Sequence, residues 1–266
     1  MSSNGEEPSL RVSVAILTRV LFSHPKNETS MLAMERKGGM REDGSVHVWA
    51  QPFGGAVRIL DPVPLEKLVG EIRFDSERSM AERDFRILIP PSRWDVLKAY
   101  CCQALADRAN RDLESSPHRE LAEEFEDALG VALQEDQYVA RPSGFVWEDR
   151  PTPTGNSRAR GFPTVRLYRV FDVQIVEEAL CARMLDASAG QSDEELGILA
   201  LQDLQNGGRG FKTSILTLPL QKVVDSWLAL SPRIRFTTIR VDQHELDESL
   251  LAILGDVNVP QYKRKV

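Results

Sequence analysis

The chain has 266 residues, 33 Lys and Arg against 40 Asp and Glu, and a formal net charge of −7. That balance argues against a general nucleic-acid binder or a protein of anionic membrane surfaces, and no apolar run is long enough to span a bilayer. Cys101, Cys102 and Cys181 are odd in number and lack metal-ligand spacing, which fits a reducing cytosol and predicts a cytoplasmic protein.

Residues 1–9 are polar and acidic and read as a disordered N-terminus, not as a signal peptide. Leu10 to Phe22 alternates and is rich in Val, Leu and Ile, which predicts a strand. His24-Pro25-Lys26-Asn27 is a turn, and Ser30 to Arg36 is the next strand. Lys37-Gly38-Gly39 to Gly44 reads as a hairpin-like loop, and Val46 to Ala50 as a short strand running into Pro52 and Phe53. Gly54-Gly55 lets the backbone turn tightly beside a bound phosphate, although paired glycines by themselves commonly mark only a turn.

Beyond Asp61-Pro62, Pro64 to Val69 suggests a short helix and Phe85 to Ile89 a strand stopped by Pro90-Pro91. Ser92 is placed to cap a helix from Arg93 to about Asp112, with Trp94, Leu97, Cys101 and Leu105 on a core face. Arg73, Arg78, Arg83 and Arg86 stand in this stretch. They either reach a substrate phosphate or form a solvated, ion-paired surface.

Ser116 to Val131 is the most informative segment. Ser116 is a good N-cap, Pro117 suits the first helical position, and Gly130 suits the position past a helix C-terminus. Leu121, Phe125, Ala128 and Leu129 share one face, while Glu120, Glu123, Glu124 and Asp127 fall at i, i+3, i+4 and i+7 on the other. Like charges at that spacing destabilise a helix by roughly a few tenths of a kcal/mol per pair. The stripe is either a solvated acidic face, with Arg119 and Glu123 as an i,i+4 pair, or a site for a hard divalent cation whose charge removes the repulsion.

Gln137 to Ala140 looks like a strand, and Arg141 to Pro163 like a loop dense in Pro, Gly, Ser and Arg. In that loop Trp147 is a candidate to stack on a base, and Arg158 and Arg160 to pair with phosphate. The competing reading is an exposed flexible loop with one anchoring aromatic. Thr164 to Val176 is the clearest strand, and Glu177 to Ala187 and Pro219 to Leu230 read as helices. Asn206-Gly207-Gly208-Arg209-Gly210 is a turn that fails the phosphate-loop pattern, since Phe211 separates Gly210 from Lys212. Arg235 to Val241 predicts a strand and Leu246 to Leu254 a short helix. Strands before and after an acidic helix predict an α/β fold, a mixed sheet sandwiched by helices. With no internal repeat and no convincing linker, residues 10–266 read as a single domain.

Arg119-Glu120-Leu121-Ala122-Glu123-Glu124 resembles the R-E-U-x-E-E core of the Nudix box, G-x5-E-x7-R-E-U-x-E-E-x-G-U with U aliphatic. Gly54-Gly55 followed by Asp61 resembles its opening. The departures are Phe53 between Pro52 and Gly54, Asp at Asp61 for the usual Glu, an insertion of about 63–115, and one extra helical turn before Gly130. The resemblance covers roughly Leu10 to Leu230. It implies a Nudix-like α/β/α sandwich with a helical insertion and a C-terminal extension of about 233–266. The implied function is an Mg²⁺- or Mn²⁺-dependent hydrolase of a nucleoside diphosphate-linked or related diphosphate.

Carried over, Glu120, Glu123 and Glu124 would be catalytic metal ligands, Arg119 would orient Glu120, and Gly54 and Gly55 would lie at the substrate. Ser192 to Leu204 resembles the late Nudix strand with its typical Glu, which nominates Glu194 or Glu195 as general base. The alternative is a Nudix-like module that holds a nucleotide without cleaving it. Either way the implied partner is a small-molecule diphosphate or nucleotide, with no membrane and no general nucleic acid, and a homodimer is left open.

Overall fold

The computed structural model describes residues 9–40, 44–148, 150–153, 161–229, 238–255 and 262–265. The first half of the chain forms β1 (Leu10–Ser23), β2 (Ser30–Met40), β3 (Val46–Gln51), β4 (Phe53–Ala56), α1 (Val63–Val69), β5 (Arg73–Phe74), α2 (Glu77–Glu82), β6 (Arg86–Ile89), α3 (Trp94–Ala106) and α4 (His118–Leu129). The second half forms β7 (Tyr138–Glu148), β8 (Thr152–Pro153), β9 (Pro163–Ile175), α5 (Glu178–Gly190), α6 (Asp193–Gln205), β10 (Phe211–Pro219), α7 (Leu220–Leu228), β11 (Thr238–Val241), β12 (His244–Asp247), α8 (Leu250–Ile253) and β13 (Tyr262–Lys265).

β1 is the spine. Its aliphatic residues fall on both faces, which suits a strand buried between two layers. On one edge it runs parallel to β9 from Arg11 to Leu21. On the other edge it meets three antiparallel partners in turn, β6 at Leu10–Ser13, β4 at Ala15–Thr18 and β2 at Val20–Ser23. That exchange of partners curls the sheet, whose main order is β11-β12-β3-β2-β1-β9-β7-β13, with β10 also on β2. Parallel and antiparallel pairs coexist, so the sheet is mixed. Val12, Val14 and Ile16 face the layer of α3, α4 and α5, while Leu17 faces the layer of α7 and α8. Helices therefore cover both faces, an α/β sandwich. Among the described residues no helix is long and apolar enough to cross a membrane.

The inserted segment returns to its starting point. The Leu60 N–H donates to the Asp112 carbonyl at 2.8 Å, and the Glu114 N–H donates to the Arg58 carbonyl at 3.0 Å. Leu97, Cys101 and Leu105 of α3 are fully buried in the same core as Leu121 and Phe125 of α4. A buried ion pair, Arg11 Nε to Asp75 Oδ2 at 2.7 Å, ties the segment to β1, and Asp75 also accepts from the Ser76 and Ser79 hydroxyls. Arg78 pairs with Glu82 at the surface and Arg86 with the half-buried Asp84, Arg83 closes α2 in the left-handed region, and Arg73 is exposed. The segment is not only helical, because β6 joins the main sheet.

Four expectations change. β2 runs on through Gly38 and Gly39 to Met40, because it is paired on both sides, with β3 and with β10. The supposed loop after Ala140 is strand β7, which continues to Glu148 against β9 with a register shift between Pro142 and Gly144. Pro142 has no N–H to donate, so the ladder slips there and resumes at Phe145-Val146-Trp147. Ser192 to Leu204 is not a strand leading into a helix but helix throughout. Leu246 to Leu254 divides into β12 and the short α8.

Candidate active site

α4 begins one residue later than its sequence signals, at His118, whose N–H donates to Ser116 Oγ at 3.3 Å, and Gly130 ends it at φ 67. Leu121 and Phe125 are fully buried, and the Phe125 ring lies 4.7 Å from that of Phe53 at the start of β4. This stripe pins the helix beside the Gly54-Gly55 turn. Glu120 and Glu124 lie at the edge of the stripe and turn inward, their side chains 16% and 13% exposed. Glu123 lies further round at 59% exposure, and Asp127 is exposed.

Gly54 has φ 137, and its N–H donates to Glu124 Oε2 at 2.5 Å. A Cβ on Gly54 would fall 2.1 Å from the Ile16 carbonyl oxygen, and one on Gly55 would fall 2.2 Å from Glu120 Oε2. Only glycine permits the first conformation and both close approaches. The structure thus brings the two glycines together with two of the three expected ligands.

Five further side chains, Glu35, Lys37, Gln51, Glu114 and Arg119, complete the cluster. Lys37 Nζ lies 2.6 Å from Glu35 Oε2 and 4.0 Å from Glu124 Oε1, and the Gln51 amide donates to Glu35 at 3.3 Å. Arg119 lies 2.6 Å from Glu120 Oε1 and 2.6 Å from Glu114 Oε2, and it also holds Glu123 at 3.1 Å. Burial, and then the charge of Glu35, push the Glu124 carboxyl well above the usual carboxylate range, while Lys37 and the Gly54 amide oppose the shift. Burial raises Glu120 as well, against the pull of Arg119. Hydrogen bonding to Glu114 raises Arg119 above its ordinary value. Sequence reasoning missed Glu35, Lys37, Gln51 and Glu114. The available signal was the spacing of Glu35 and Lys37, two residues apart and so on one face of a strand.

Glu195, the expected general base, lies elsewhere. Its carboxylate accepts from the Ser192 N–H at 2.8 Å and the Ser192 hydroxyl at 3.1 Å, while Ser192 Oγ accepts from the Glu195 N–H. This is a capping box. The first turn of α6 also pairs Asp193 with Arg36 at 3.0 Å. Arg36 points to the face of β2 opposite Glu35 and Lys37, so Glu195 sits across the sheet from Glu124. We expect Ser192→Ala to lower stability by about 1 kcal/mol and to leave turnover on the best substrate unchanged. Denaturant unfolding and an activity assay on the same sample check this, and lost turnover with stability intact would return Glu195 to the chemistry.

Asp61 is exposed and accepts from the Val63 N–H at 3.0 Å, so it starts α1. Trp147 stands on β7, paired with Leu167 of β9, away from the glutamates. Arg158 and Arg160 lie outside the described residues.

Among the described residues no group of three or more His, Cys, Asp or Glu is gathered closely enough to hold a metal ion by itself. Mg²⁺ does not require such a cage, since one or two carboxylates with waters and substrate phosphates suffice. The inward carboxylates of Glu120 and Glu124 fit that donor set, and the raised proton affinity of Glu124 is what a nearby cation would relieve. Comparison with protein-family models, with curated proteins and with solved structures found no match to this chain.

Proposed function

We propose that this chain is a Nudix-type, Mg²⁺-dependent (or Mn²⁺-dependent) hydrolase of a nucleoside diphosphate-linked or related diphosphate. One observation carries the reading: Glu124 accepts from the Gly54 amide while the Glu120 carboxylate occupies the space over Gly55. Those are the motif positions that the Nudix resemblance nominates, and they come from opposite ends of a long insertion.

Glu120 and Glu124 would hold the cation, which supplies Lewis-acid stabilisation of phosphoryl charge and a lowered pKa for its bound water. Arg119 fixes the rotamer of Glu120, and Glu114 in turn fixes Arg119. Gly55, with no side chain, leaves room for the Glu120 carboxylate to lie against the backbone. Glu35, buried and held by Lys37 and Gln51, replaces Glu195 as the carboxylate placed to take a proton from water. The reading extends to a cytoplasmic protein with one Nudix-like domain over residues 10–266.

Calorimetry with Mg²⁺ or Mn²⁺, with and without a non-hydrolysable diphosphate, tests it. Binding should raise the unfolding free energy with the logarithm of metal concentration, by about 2.7 kcal/mol at a hundredfold excess over Kd. No divalent binding under either condition overturns the proposal. A second reading, nucleotide binding without cleavage, is favoured by Lys37, whose ammonium already lies between Glu35 and Glu124. On that reading a nucleotide diphosphate binds equally well with or without divalent ion, and a Mg²⁺ screen of diphosphates releases no product.

A further inference from the structure

On the α3 side of β9, the alternating row Val165, Leu167, Phe171, Val173 and Ile175 is buried and apolar. Arg169 interrupts it. The residue is 8% exposed, and its Nε has no hydrogen-bond partner. Among the described residues it pairs with no carboxylate; its guanidinium lies 4.4 Å from the Phe145 ring centre and 5.4 Å from that of Phe171. A buried guanidinium that lacks an anion is unfavourable at a position where Leu or Met would pack.

The side chain opens onto a cavity of about 570 Å³ between α3, β7, β9 and β13. Lys98, Arg169 and Lys265 line it together with Trp147, Phe145 and Cys102, and among the described residues no acidic one does. Lys98 Nζ lies 5.6 Å from the Trp147 ring centre and also pairs with the exposed Asp95 at 2.8 Å. Burial lowers the proton affinity of Arg169, an effect that a bound anion reverses. None of these residues belongs to the glutamate cluster.

We propose that this cavity is a second binding site, independent of the glutamate site, for a small phosphate monoester that carries an aromatic ring. Three cations converging on one cavity suit a dianion better than a carboxylate, and the guanidinium fork matches phosphate oxygens. Trp147 supplies a face on which a ring stacks. The volume falls in the range of small-ligand sites.

The test is calorimetry and tryptophan fluorescence on the full chain without divalent ions, using phenyl phosphate, AMP and inorganic phosphate as probes. Phenyl phosphate or AMP should bind at one site and quench fluorescence, with inorganic phosphate at least tenfold weaker. Arg169→Met should weaken binding by at least thirtyfold while raising the melting temperature of the ligand-free protein. Trp147→Leu should reduce phenyl phosphate to the level of inorganic phosphate. Lys98→Gln, a partly exposed change that leaves the core intact, should weaken binding at least threefold and keeps the proposal testable if Arg169→Met fails to fold. No binding of any probe, or binding unaltered by Lys98→Gln and Trp147→Leu, overturns it. Binding that needs Mg²⁺ and is lost in Glu124→Gln would assign the probes to the glutamate site and would equally overturn it.

Discussion

Glu124→Gln is expected to lower turnover by about a hundredfold or more, since loss of a metal ligand should exceed the loss seen for groups that only orient ligands. The same change should stabilise the metal-free protein at neutral pH. The sign follows from the proton affinity. Burial and Glu35 raise the folded-state pKa of Glu124 above its unfolded value. In the window between the two values the folded chain binds more protons than the unfolded chain, so stability falls as pH rises through it. Gln carries no such penalty, keeps the shape, and its amide oxygen can still accept from the Gly54 N–H. Denaturant unfolding of both proteins at about pH 5 and about pH 8, without divalent ions, should show a steeper loss for the wild type. Unchanged turnover in Glu124→Gln would remove α4 from the chemistry.

Gly54→Ala and Gly55→Ala should fail in different ways, although the residues are neighbours. At Gly54 the new Cβ meets the backbone oxygen of Ile16 at 2.1 Å, and φ is 137. Ile16 belongs to β1, locked between β9 and β4, so nothing yields. A loss of about 2–4 kcal/mol is expected, from strain added to a backbone clash. At Gly55 the obstacle is the carboxylate of Glu120, the far end of a flexible side chain, which can swing away. The fold should persist, and divalent-ion affinity should fall by about 10–100-fold. Urea titrations and metal calorimetry on both variants separate the two failures. Equal unfolding midpoints for Gly54→Ala and wild type would mean that the turn is not tight.

Several elements were legible in the chain because local physics decides them. The alternation of Leu10 to Phe22 and of Thr164 to Val176 specifies strands, and their aliphatic character on both faces specifies burial between layers. Pro117, Gly130 and the Leu121–Phe125 stripe specify α4 to within a residue. The apolar face of α3 specifies that the insertion is docked. The capping box of α6 is equally local, with Ser192 at the N-cap and Glu195 three residues on.

What the sequence by itself determined is this inventory of elements and the acidic stripe, because helix and strand periodicity act over a few residues. Which carboxylates turn inward, that Glu35 and Lys37 stand beside Glu124, and that Glu195 lies across the sheet were decided only by tertiary structure. The same holds for Arg169 and Phe145 meeting across the β7–β9 pair. These pairings join residues up to about ninety positions apart through strand register and helix docking. A one-residue slip in that register would reverse each of them while leaving every local signal unchanged.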